Sequence, residues 1–197
     1  MDSASASAVD GRSARAQRTR DSVVAAVLEL AGAGDARPTA KEIADRAGIS
    51  VRSVYVHFDD LDDLFRAAAV RHFEQMSALL QPVDARLPLA ERILAATSQR
   101  VAINESFGAV RRAAEQWAPL SPTLAEVLRS GREVGRQDIE RLFGPVLVGR
   151  ADHDVALAAI NLLLGSSAWD NLREQGLSVD AASEIIVHTL TRLLEAP

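Results

Sequence analysis

The chain has 197 residues, 48% of them hydrophobic and 25% charged, enough to bury a core and too apolar for a disordered chain. It has no cysteine, which excludes a disulfide framework, a thiolate zinc site and a cysteine nucleophile. The formal net charge of −5 weighs against a phosphate-binding surface, but the charge is unevenly placed: residues 11–58 hold eight basic and five acidic side chains, while the remainder after Phe58 is acidic.

Met1 to Gly11 alternates Ser and Ala without an apolar run, so it reads as a solvated tail rather than a signal or an anchor. Val24, Val27, Leu28 and Ala31 then follow the spacing of a buried helical stripe, predicting a helix over about 13–33 that Gly32 and Gly34 stop. Thr39 is placed to cap a second helix, with Glu42 three residues on completing a capping box, and Gly48 to end it. Ser50 caps a short third helix whose apolar positions are Val51, Val54, Tyr55 and Phe58. Asp60 and Asp63 open a fourth, carrying Leu61, Leu64, Phe65 and Ala68 and reaching about Gln81. Further helical periods cover about 88–105, 107–118, 122–143, 153–175 and 178–195, with no hairpin signal between them. The fold class expected is all-α, with nine helices in two domains: a tail over 1–11, a helix-turn-helix domain over 12–60, and a helical bundle over 61–197. No run of 18 apolar residues occurs, so no membrane partner is expected and the protein is placed in the cytoplasm.

The segment from Thr39 to Phe58 carries the strongest functional signal. Ala47-Gly48-Ile49-Ser50 separates two short helices, with Gly48 permitting the left-handed turn and Ile49 placed to bury between them. A third helix this short depends on the core to hold it, leaving Arg52, Ser53 and His57 on its outer side, with Ser50 and Val51 at its start. In a major groove an arginine donates two hydrogen bonds to guanine, while Ser and His reach phosphate or base edges. Spacing alone equally describes any short helical hairpin in a bundle.

The run Thr39-Ala-Lys-Glu-Ile-Ala-Asp-Arg-Ala-Gly-Ile-Ser, followed by Ser53-Val-Tyr-Val-His-Phe58 and an acidic helix start, resembles the DNA-binding domain of TetR-family transcriptional regulators over about residues 15–73. The resemblance implies a homodimeric repressor that binds double-stranded operator DNA, carries a C-terminal ligand pocket and leaves its operator when a small effector binds. It also implies backbone contacts from Tyr55 and His57; for Tyr55 a place at the core's edge is the competing reading. Lys41 and Thr39 stand at the second helix's N-terminus, where side chain and backbone N–H groups anchor phosphate. The chain departs from the family pattern at Leu61, where a phosphate-binding lysine is common, at Val56, where a second aromatic is usual, and at Arg52, where a small residue is common. Arg12, Arg15, Arg18 and Arg20 are the candidates to compensate, Arg18 foremost.

The C-terminal part reads as a dimerisation and effector domain. Val155 to Trp169 has no charge and is apolar on all sides, as is much of 178–195, which favours a two-fold dimer through Leu163, Ser167, Asp170, Ile186, Leu190 and Leu193 over a larger monomeric core. Phe73, Met76, Phe107, Trp117 and Phe143, with Arg111 and Asn161 as polar partners, are the candidate lining of a pocket for a hydrophobic or aromatic effector. Gly131 and Gly135 suit either close packing or a bend. No cofactor or metal is expected: His57, His72, His153 and His188 are scattered and Ser166-Ser167 has no evident base. The alternatives to a regulator are an enzyme or a protein-interaction adaptor on the same bundle.

Overall fold

The computed structural model describes residues 3–34 and 37–195, with side chains from residue 13 onward except that of Leu79. Among these residues the regular structure is helical: α1 (Ser3–Gly32), α2 (Ala40–Ala47), α3 (Val51–His57), α4 (Leu61–Leu79), α5 (Leu89–Trp117), α6 (Pro122–Leu147), α7 (His153–Leu163), α8 (Ser166–Glu174) and α9 (Val179–Glu195), with a 3-10 turn over Ala118–Leu120. No described helix is long and apolar enough to cross a membrane.

The expected number of helices is reached, but three expectations need correction. The segment read as a tail is helical from Ser3, because Ala and Ser without proline continue a helix already nucleated downstream, and Gly11 costs only about 1 kcal/mol. The helices expected over 88–105 and 107–118 are one, since Asn104, Ser106 and Gly108 are weak rather than absolute breakers. The helix expected over 153–175 is two, because Gly165 leaves the helical path and is extended at φ −75°, ψ 154°. A Cβ at Gly165 would stand 2.9 Å from the Asn161 carbonyl oxygen, so only glycine fits this break.

The chain forms two compact units. The first comprises residues 1–75 and 109–128, a wider set than the 12–60 expected for the DNA-binding domain. Its core joins Val23, Val27 and Leu30 of α1, Ile43 and Ala44 of α2, Val54 and Phe58 of α3 and its end, and Leu64 and Phe65 of α4. Ala113, Trp117 and Leu124 complete it, with the Trp117 ring tilted against Phe65 at a centroid distance of 5.2 Å. Trp117 is therefore core, which corrects its expected place in a ligand pocket.

The second unit comprises residues 76–108 and 129–197. Ile93 and Ala96 of α5, Leu142, Phe143 and Leu147 of α6, Ile160 of α7, Trp169 of α8, and Ile186, Leu190 and Leu194 of α9 form its core. Phe143 is fully buried there, so it too is packing rather than pocket. Ile186 and Leu190, expected at a partner surface, are 4% and 0% exposed and point inward; α9 has one stripe for its own unit and another for solvent. Arginines tie loop and helix-end carbonyls to this core: Arg92 donates to Leu142 at 2.7 Å, Arg141 to Val83 at 2.9 Å and Arg150 to Leu193 at 3.0 Å.

Candidate nucleic-acid interface

The turn between α2 and α3 is held at both ends by its own residues. Thr39 caps α2: its hydroxyl accepts from the Glu42 N–H at 3.3 Å, and its own N–H donates to the Glu42 carboxylate at 2.7 Å, closing the capping box. That backbone hydrogen bond, with the Thr39 hydroxyl, holds the Glu42 pKa below its ordinary value. Gly48 ends α2 at φ 69°, ψ 32°. The Ile49 N–H then donates to Ala44 at 3.0 Å and the Gly48 N–H to Asp45 at 3.3 Å, the paired bonds of a Schellman stop. Ser50 immediately caps α3, its hydroxyl oxygen accepting from the Ser53 N–H at 3.1 Å.

These constraints aim α3. Val54 is fully buried and Phe58 is 2% exposed, so the helix is nailed to the unit along that side. Arg20 of α1 fixes its end: the guanidinium donates to the His57 carbonyl and lies 4.1 Å above the Phe58 ring centroid. Arg20 is thus spent on placing α3, which corrects its reading as an arm toward DNA.

What α3 then presents to solvent is Val51, Arg52, Tyr55 and Val56. Tyr55 is 49% exposed, so it and Val51 leave the apolar stripe expected for them. Arg52 is exposed and makes no hydrogen bond or ion pair among the described residues. Val56, 72% exposed, was missed as a candidate; its signal is that it falls beside Arg52 and opposite Val54 and Phe58 on the helical wheel. An exposed aliphatic side chain there suits a thymine methyl group.

The other candidates are less free. Ser50 and Ser53 hydroxyls bond one another at 2.9 Å. The Thr39 hydroxyl donates to Glu42 at 2.7 Å, leaving the backbone N–H groups of the first turn of α2 as the better phosphate donors. Lys41 pairs with Asp45 at 2.8 Å on the open surface, a bond readily exchanged for a phosphate, and its pKa is raised by that carboxylate. His57 is half-buried. Arg15, Arg18, Thr19 and Ser22 of α1 line an open groove with Ile49 of the turn, so two arginines stand on the flank of the helix-turn-helix. Arg12 lies outside the residues whose side chains are described. Asp59 and Asp60 are exposed just before α4, where Asp60 accepts from the Asp63 N–H at 2.8 Å and Leu61 supplies no cation.

The effector candidates are divided between the two units. Phe73, Arg111 and Trp117 belong to the first unit; Met76, Phe107, Phe143 and Asn161 belong to the second. Arg111 pairs with Glu115 at 2.7 Å, and Asn161 donates to the Leu157 carbonyl at 2.9 Å. Of the dimer candidates, Ser167 is exposed and Leu163, Asp170 and Leu193 are half-buried. Among the described residues no group of three metal-ligating side chains comes together.

Residues 23–68 match the model of bacterial regulatory proteins of the tetR family. No curated protein matches the chain. Among solved structures, a transcriptional regulator from Rhodococcus sp. Rha1 superposes with a TM-score of 0.72 at 22% identity, over 89% of this chain and 96% of that one. A tetR-family transcriptional regulator from Streptomyces coelicolor gives 0.70 at 21% identity, over 90% and 80%. The multidrug binding protein EbrR, complexed with imidazole, gives 0.63 at 18% identity, over 90% and 96%. At these identities the likeness is one of fold.

Proposed function

We propose that the protein is a regulator with a tetR-type N-terminal domain, a repressor that binds a palindromic operator as a homodimer and is released by a small-molecule effector. The observation that carries the DNA-binding part is the orientation of α3: seven residues capped at Ser50, buried at Val54 and Phe58, with Arg52, Tyr55 and Val56 facing solvent. A buried helix of this length would serve packing alone; one anchored on a single side presents a reading edge. Arg52 supplies the bidentate donor for guanine, Val56 the apolar contact, and Lys41, Arg15, Arg18 and the first turn of α2 the phosphate contacts that set register.

The second unit supports the dimer reading. Val155 and Leu162 of α7 are 72% and 66% exposed, and Ile185 of α9 is 41% exposed. Val155, Ala158 and Leu162 share one helical side of α7, and such a stripe is covered economically by its two-fold copy. Two α3 helices about 34–36 Å apart then read successive major grooves. Release is a population shift, the effector binding more tightly to the conformation whose α3 helices mismatch that spacing. The fold shared with a multidrug binding protein supports a ligand-responsive second unit.

The test is fluorescence anisotropy with duplex DNA over a salt titration. The wild type is expected to bind with a steep negative salt slope, and Arg52→Ala to lose at least tenfold in affinity for a selected site while keeping its helical content. Binding that is independent of salt, or indifferent to Arg52, contradicts the proposal.

A further inference from the structure

The second unit holds a small cavity lined in part by polar groups, one of which has no partner. Thr97 of α5 is 2% exposed and its hydroxyl oxygen has no hydrogen-bond partner, although a helical threonine ordinarily bonds the carbonyl four residues back. Thr97 lines this cavity together with Arg100 and Asn104 of α5, Leu164 and Gly165 at the break between α7 and α8, and Trp169 of α8. The cavity has about 10 Å³, room for roughly one water molecule. A buried hydroxyl left unbonded costs the ligand-free protein stability, a cost recovered when a ligand bonds it.

The charge in this place is positive. Arg100 has 24% of its side-chain surface exposed and makes one long hydrogen bond, from Nη2 to the Gly135 carbonyl at 3.4 Å, leaving most of its five donors unused. Its nearest carboxylate, Asp138, is 4.0 Å away and is already held by Arg141 at 2.7 Å. Burial lowers the Arg100 pKa and Asp138 opposes this only in part. The other charged pair nearby is neutral in sum: Glu105 accepts from the Trp169 indole at 2.9 Å and pairs with Arg173 at 3.4 Å. Gly165 is also the N-cap of α8, nine residues long, and no side chain caps its first N–H groups. A helix N-terminus, an under-compensated guanidinium, an amide and an unbonded hydroxyl around one cavity are the donor set for an anion.

We propose that this cavity receives the carboxylate of the effector, an organic acid whose head lies between Arg100, Thr97 and the start of α8 and whose apolar body lies against Val101, Leu163 and Ile186. One cation in apolar surroundings matches a monocarboxylate better than a doubly charged phosphate. The acid widens the cavity at Leu164 and Gly165, the junction where α7 ends with the Leu164 N–H on the Ile160 carbonyl at 2.9 Å and α8 begins. This assigns a chemical class to the effector and rests on the regulator reading given above. It replaces the expected aromatic lining with a polar anchor that sequence spacing did not reveal.

The experiment is a calorimetric and thermal-shift comparison of the full chain with straight-chain acids from acetate to decanoate, benzoate and phenylacetate, against their neutral amides. Acids are expected to bind and stabilise while amides do not. Arg100→Met is expected to weaken acid binding by at least tenfold. Thr97→Val, nearly isosteric and free of the unbonded hydroxyl, is expected to hold or raise the melting temperature of the ligand-free protein while weakening acid binding several-fold. Equal binding of amides, no acid binding across the series, or unchanged binding in Thr97→Val overturns the assignment. DNA binding of the acid-free proteins is measured alongside: acid binding without DNA binding sinks the regulator reading and with it the effector role of the site, whereas DNA binding without acid binding sinks only this assignment.

Discussion

Replacing Gly48 by alanine separates the backbone geometry of the helix-turn-helix from its contacts. At φ 69° the residue occupies the left-handed region, and a Cβ there meets no atom within 4 Å. The whole cost is therefore conformational, about 1–2 kcal/mol for an L-residue. For a unit of this size, each 1 kcal/mol lowers the melting temperature by roughly 4–8 °C. The chain has two tryptophans, Trp117 in the first unit and Trp169 in the second, so a Trp169→Phe background leaves Trp117 fluorescence reporting on the first unit alone. In that background Gly48→Ala is expected to lose about 1–2 kcal/mol in urea unfolding, Gly48→Asn clearly less, and Gly48→Val more. Affinity for DNA should hold wherever the unit remains folded, since Gly48 donates no side chain. An alanine variant as stable as the wild type, or an asparagine variant as damaged as the alanine one, would refute the argument.

Thr39→Ala removes the cap of α2 and should cost about 1 kcal/mol in the same assay. Because the folded Glu42 pKa lies below its ordinary 4.5, the box's contribution is complete above that pH and is lost as pH falls below it; Glu42→Gln should flatten the acid limb of the stability profile. Lys41→Ala should leave the melting temperature nearly unchanged and reduce the salt slope of DNA binding by about one, as measured by anisotropy. Leu162→Glu, at a residue 66% exposed, should convert dimer to monomer in sedimentation without loss of helical circular dichroism; an unchanged sedimentation coefficient would place the partner surface elsewhere.

The helix-turn-helix was legible because its determinants are local: Thr39 with Glu42, Gly48 and Ser50 each act within three or four residues, and each does what its spacing implies. The facing of Tyr55 was not, since a stripe counted on a wheel places it beside Val54, and only tertiary packing decides which of them the core takes. Arg20 illustrates the same limit: its bond to the His57 carbonyl spans 37 positions, and no local pattern separates it from the arginines on either side. The second unit was read in class but not in detail. The helix breaks at Gly165, where the Asn161 carbonyl leaves no room for a Cβ, whereas Gly108 is carried inside α5, and the sequence around the two glycines offers no contrast that predicts this. Ile186 and Leu190 were assigned to a partner because α9 is broadly apolar; the protomer's own core claims them and leaves Ile185 outside.

Operator recognition requires that α3 read DNA in paired copies. Duplexes selected by the full chain from a random pool test this most directly. An enriched inverted repeat with half-site centres about one helical turn apart, lost on Arg52→Ala, is the result expected. Absence of enrichment, or a site without two-fold symmetry that Arg52→Ala still selects, would contradict it.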